Sequence, residues 1–202
     1  MIPLDTNIYI VYDHFDPISV QELEATRQDF IDVGLNKIVN HSIAREGEVK
    51  YNKYDYTMQF DNNLSLEEKT EWFTFTNIFK KIRLDSDPAL VVQAGAKLIS
   101  NPTYNTSWPE YLHKCDFWIL GYNALDKIID GRYGVYISQN AANHWIKTFA
   151  KPAHIGSRII SEDVRRGLGK AWTYYVNNHV DDYEMRIDLQ GLDPRKFPIL
   201  YQ

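Results

Sequence analysis

The feature that most constrains this chain is a short apolar run, Asn7–Tyr12 (NIYIVY), followed three residues later by Asp16-Pro17 and then by apolar residues at helical spacing. Six residues rich in β-branched and aromatic side chains are too few for a core helix and read as a buried strand. Pro17 fits the first turn of a helix, where its missing N–H costs nothing. Ile18, Leu23, Phe30, Ile31 and Val33 then recur at roughly helical spacing, and Gly34 supplies a stop. Residues 37–43 form the next strand candidate. Strand, helix and strand thus fall within the roughly 30 residues that a β-α-β unit needs.

The same alternation continues downstream. Residues 44–63 are polar with scattered Tyr and read as a long loop. Ser65 and Glu68 make a capping box that opens a helix through about Ile82. Strands are expected at residues 90–93, 116–120 and 134–137. Helices are expected at residues 108–114, 123–129 and 141–149. Ser161 caps a final helical region, with Glu162 and Asp163 in its first turn, where the helix dipole favours acids. Alternating strands and helices argue for an α/β fold, a Rossmann-like, mainly parallel sheet with helices on both faces. The strands at 7–12, 37–43 and 116–120 are expected to be parallel neighbours. Residues 1–188 read as one domain and residues 189–202 as a C-terminal tail, whose Phe197, Ile199, Leu200 and Tyr201 are expected to dock in a fixed place.

Composition narrows the function classes. The formal net charge is −5, which disfavours broad nucleic-acid binding and adhesion to anionic membranes. No apolar run approaches the roughly 20 residues that span a bilayer, so no membrane partner is expected. The first 13 residues lack a basic flank and carry Asp5 and Asp13, unlike a secretory leader. Cys115 is the one cysteine, so no intrachain disulfide forms, and a cytoplasmic location is expected. It precedes an apolar strand and reads as a core residue. Fourteen tyrosines and the apolar tail point to a protein partner or a homo-oligomer.

In open α/β sheets, ligands bind beyond the carboxyl ends of the strands where strand order reverses. That directs attention to the loop after the first strand, residues 12–23, YDHFDPISVQEL. Phe15, Asp16, Pro17, Ile18 and Leu23 match the pattern G-G-T-F-D-P-I-H-x-G-H-L. This loop resembles the signature of the nucleotidylyltransferase superfamily, especially the nicotinamide or nicotinate mononucleotide adenylyltransferases. Later segments agree in order: residues 104–108 (YNTSW) are similar to the family's S-Y-T-x-D-T-L helix start, and 117–125 (FWILGYNAL) to its strand ending in G-A-D-x-L. Residues 160–165 (ISEDVR) are similar to its I-S-S-T-x-I-R turn, and 169–172 with 176–180 to its closing G-x-x-W…V-P-x-x-V helix. The resemblance covers about residues 7–185 and implies a nucleotidylyltransferase-like fold of the kind used in NAD biosynthesis.

By that resemblance, Phe15, Asp16, Ile18, Gly121, Asn123, Ser161 and Arg165 are the candidate nucleotide-binding residues. Arg165 corresponds to an arginine on the triphosphate, and Asn123 stands where the family carries an acid. A plain N-cap for Ser161, a solvated helix face for Arg165 and a turn residue for Asn123 are the blander assignments. The implied ligand is ATP with Mg2+. The catalytic pattern is degenerate: Ser19 stands at the first family histidine and Glu22 at the second. Serine carries no charge, and glutamate repels a triphosphate. Tyr12, Asp13 and Gln21 replace three glycines that let backbone approach phosphate. His14 is one position off. The expectation is therefore a catalytically inactive, nucleotide-binding or structural protein. The alternatives are an active nucleotidylyltransferase with a remodelled site and a PIN-like metal-dependent ribonuclease. The ribonuclease reading rests on residues 4–7 (LDTN) with Asp116 and Asp126. The remaining histidines, His41, His113, His144, His154 and His179, show no metal-ligand spacing.

Overall fold

The computed structural model describes residues 6–46, 48, 65–85, 87–98, 117–123, 128–129, 131–149 and 199–201. In chain order these give β1 (Asn7–Tyr12), α1 (Pro17–Asp32), β2 (Ile38–Ser42), α2 (Leu66–Leu84), β3 (Ala89–Gln93) and β4 (Ala96–Leu98). There follow β5 (Phe117–Ile119), β6 (Gly121–Asn123), β7 (Ile128–Ile129), β8 (Val135–Ile137), α3 (Gln139–Phe149) and β9 (Ile199–Tyr201).

A five-stranded sheet runs in the order β2-β1-β3-β8-β5. β1 pairs in parallel with β2 on one side and with β3 on the other. The first crossover, through α1, carries the chain from β1 to β2. The second, through α2, carries it back past β1 to β3. Opposite directions of travel put the two helices on opposite faces, as a single handedness of crossover demands. The side chains confirm this. Ile8, Ile10, Leu90, Val92 and Tyr136 pack with Leu23 and Phe30 of α1. Tyr9, Val11, Val91, Val135, Ile137 and Phe117 pack with Phe75, Ile78, Phe79 and Ile82 of α2 and Trp145 of α3. Trp145 stacks on Phe117 with ring centroids 6.2 Å apart and meets the edge of Phe79 at 5.5 Å.

The fold is thus α/β with helices on both faces of the sheet, but the sheet is mixed. β8 is antiparallel to both β3 and β5. The strand at 116–120, expected beside β1, is separated from it by β3 and β8. An apolar run encodes burial and not direction, so strand order is settled by non-local packing. The helix expected at 123–129 is also corrected: Asn123 ends β6, and Ile128–Ile129 is β7, antiparallel to it. These strands belong to a second sheet, β4-β9-β6-β7, in which β9 is antiparallel to β4 and parallel to β6. Three residues of the expected tail therefore form an interior strand. The expected helices at 108–114 and after Ser161, and Cys115, lie outside the described residues. Among the described residues, no helix is long and apolar enough to cross a membrane.

Local chemistry explains the boundaries of α1. The Asp16 carboxylate accepts from Ile18 N–H, and Pro17 occupies the first turn. At the other end Leu35 N–H donates to Phe30 O (3.0 Å) and Gly34 N–H to Ile31 O (2.9 Å). This Schellman closure requires a left-handed residue, and Gly34 has φ 87°. Leu35 then returns to the core that holds Phe30.

α1 is tied to the turn after β3 by one buried side chain. Thr26 Oγ1 donates to Ala96 O and accepts from Gly95 N–H, each at 3.0 Å. Gly95, at φ 90°, takes the left-handed position in the two-residue turn between β3 and β4. Thr26→Val, similar in shape but without the hydroxyl, strands both backbone groups. Urea unfolding should show a loss of about 1–3 kcal/mol, and Thr26→Ser should retain most of the stability.

Candidate functional site

The crossovers reverse between β1 and β3, so the carboxyl ends of these strands form the topological switch point. Backbone bonds gather three segments there. Ala94 N–H donates to Val11 O and Ile43 N–H to Tyr12 O, both at 2.8 Å. The loop of interest, residues 13–16, leaves this junction and enters α1.

The loop is closed by its own side chains. Asp13 N–H donates to Ser19 Oγ at 2.9 Å, so the serine of the first α1 turn holds the residue after β1. Asp13 Oδ1 accepts from Phe15 N–H at 2.9 Å, and Asp16 Oδ1 from Ile18 N–H at 3.0 Å. Asp16 N–H donates back to Asp13 O at 3.3 Å. Asp13 thus occupies a loop N–H ahead of α1, and Asp16 caps Ile18 N–H, one of the groups that a helix N-terminus offers to a phosphate.

Phe15 and Ile18 are each 67% exposed and Val20 38%, a run of apolar surface within six residues. The Arg45 guanidinium lies 4.6 Å from the Phe15 ring centroid, and the His14 ring meets the Phe15 ring edge-on at 5.2 Å. Arg45 itself is placed by the turn after β2, where its N–H donates to the Glu48 carboxylate. The result is an acidic and aromatic surface. At about 4 Å and an effective dielectric of 20, two like unit charges repel by about 4 kcal/mol, which opposes a polyphosphate beside Asp13 and Asp16.

Phe15, Asp16, Ile18, Ser19 and Glu22 share the loop and the first turns of α1, with Ser19 and Glu22 half-buried. Gly121 and Asn123 lie in β6, beyond the end of β5. Gly121 N–H donates to Gly134 O at 2.9 Å, and Asn123 pairs in register with Ile128 and Tyr201. No backbone hydrogen bond among the described residues joins them to the loop after β1. Ser161 and Arg165 lie outside the described residues, as do the acids Asp5, Asp116 and Asp126. Among the described residues no three His, Cys, Asp or Glu side chains gather to hold a metal ion.

Two cations escaped the sequence reading. Arg45 carries no motif and falls in a stretch read as polar loop. Lys81, near the end of α2, places Nζ 3.3 Å from His41 Nδ1 on β2. Spacing along the chain gave no signal, because 40 residues separate them. Comparison with protein-family models and with curated proteins finds no match to this chain.

Burial, reinforced by the Lys81 charge and weakly opposed by Glu48, depresses the His41 pKa to about 4 from an ordinary 6.5. The folded state then holds a neutral imidazole where the unfolded chain, at its ordinary pKa, takes up a proton. Stability from this site is complete above about pH 6.5 and is lost as pH falls toward 4. The difference in urea midpoint between wild type and His41→Gln should therefore shrink between pH 7 and pH 5. In Lys81→Met the His41 pKa, followed by NMR, should rise.

Proposed function

We propose that this chain is a nucleotidylyltransferase-like protein without adenylyl-transfer activity, acting through protein contacts. The observation that carries this reading is the closure of the loop before α1 by Asp13, which stands where the resembled pattern has a glycine: its N–H is held by Ser19 and its carboxylate holds Phe15 N–H. Phosphoryl chemistry depends on positive charge and free donors arranged around the phosphates. Here Asp13 occupies one loop N–H and adds a negative charge where the pattern has a glycine, beside Asp16, which the pattern shares and which caps Ile18 N–H. Ser19, at the first family histidine, spends its oxygen as an acceptor for Asp13 N–H. The donor or charge that a histidine brings is replaced by a brace.

The exposed Phe15 and Ile18, with Val20 nearby, give the loop and the first turns of α1 an apolar surface suited to a protein contact. Contacts through the tail are a lesser support. β9 has a strand on either side, so its backbone edges are already used.

The test is a product assay. The purified chain is incubated with ATP, Mg2+ and nicotinamide mononucleotide, with pyrophosphate and dinucleotide followed over time and ATP binding measured by calorimetry. The expected outcome is no product and no binding heat. Ser19→His with Glu22→His should also remain silent, since Tyr12 and Asp13 stay in place of two glycines. Turnover by the native chain overturns the reading; binding without product converts it to a nucleotide sensor.

A further inference from the structure

The apolar surface at the start of α1 has a charged border that defines what it fits. Phe15 and Ile18 project at 67% exposure, and Val20 lies on the next part of the turn. Residues four apart are neighbours on a helix, which sets Glu22 beside Ile18 and both Asp16 and Glu24 beside Val20. Asp13 lies at the base of the loop. Each loop carboxylate accepts its backbone N–H through Oδ1. Four carboxylates, those of Asp13, Asp16, Glu22 and Glu24, stand against two guanidinium groups: Arg27 pairs with Glu24 at 3.6 Å, and Arg45 sits over the Phe15 ring. The border is therefore net acidic. The Arg45 contact also shows the chemistry that the Phe15 ring takes, a guanidinium against an aromatic face.

We propose that this surface binds a peptide segment of a partner protein in which lysine or arginine alternates with bulky apolar residues, the apolar groups covering Phe15 and Ile18 and the cations meeting Asp13, Asp16 and Glu22. This rests on the interaction reading above and names its partner class. An acidic partner meets like charge there, and an uncharged apolar one leaves the carboxylates unpaired, so the border selects as well as attracts.

The probe is a phage-displayed library of random 12-residue peptides, selected on the full chain and counter-selected on a Phe15→Ser/Ile18→Ser variant. Both side chains are largely in solvent, so the variant should keep its far-ultraviolet circular dichroism and thermal midpoint. Enriched peptides should be basic and apolar. A representative peptide, measured by fluorescence anisotropy, should lose at least about tenfold in affinity on the double variant. Asp16→Asn separates charge from structure, because asparagine caps a helix as well as aspartate does. It should weaken binding by about threefold and flatten the salt dependence. The proposal is overturned if no peptide is enriched, if the enriched peptides are acidic or uncharged, or if they bind the double variant equally well. Adenylyl transfer in the product assay would remove the underlying reading without altering these measurements. An empty selection would remove the proposal and leave the absence of transfer standing.

Discussion

The arrangement depends on the double-sided burial of β1 and β3. Both strands are interior to the sheet, and their side chains alternate between two separate cores. Ile8, Ile10, Leu90 and Val92 supply one, and Tyr9, Val11, Ala89 and Val91 the other, all at 4% exposure or less. Each large aliphatic side chain so buried contributes roughly 1.5–3 kcal/mol. Neither face can be left to water, so a helix must cover each. α1 and α2 follow from that need, and their opposed crossovers follow from handedness. Tyr9 carries the one hydroxyl in this set and reaches Asp85 at 3.2 Å; burial and that carboxylate raise its pKa to about 12.

The switch point is a consequence of the same geometry and not an added feature. Once β1 lies between β2 and β3, the loop after it emerges where the two crossovers diverge, and a ligand crevice is the default use of that place. Here the crevice is furnished differently. β3 turns at Gly95 into β4, which packs on α1 through Thr26, and the loop after β1 is pinned by Ser19. Backbone groups that an open crevice leaves for a ligand are satisfied within the chain. What remains accessible is side-chain surface, apolar at Phe15 and Ile18 and acidic around them.

The first β-α-β unit was legible from the sequence because its signals are local. β1 is a pure apolar run, Asp16-Pro17 a capped helix start, and Gly34 a left-handed stop. α2 and α3 were legible for the same reason; Ser138 O accepts from Ala142 N–H as α3 begins. The second sheet was not. β6 and β7 have three and two residues, too short to show a period of two, and β6 is completed by β9 from far along the chain. With Ala124 and Leu125 between Asn123 and Ile128, that stretch shows apolar spacing as compatible with a helix as with a hairpin. The direction of β8 was illegible because parallel and antiparallel partners bury the same residues. In the site, Ser19 and Glu22 at the positions of the resembled family's histidines could be read directly. The use made of Ser19 could not, since a hydroxyl at that spacing serves a ligand or a backbone N–H equally well.

The distinction matters because an internal ligand competes on unequal terms with a free one. The carboxylates of Asp13 and Asp16 are tethered within two residues of the N–H groups they occupy. A short tether gives an effective concentration of millimolar or above. A phosphate arriving from solution must displace both, find the two carboxylates other partners, and accept their repulsion while they remain nearby. Removing Ser19 from Asp13 would loosen the loop without removing either charge. On the reading proposed above, resistance to phosphate comes chiefly from charge and tethered occupancy in this loop, with Asp13 the acid that stands in place of a glycine of the resembled pattern. The same two carboxylates make the α1 start attractive to a cation, so the groups that oppose an anion there also provide an acidic border for a different kind of partner.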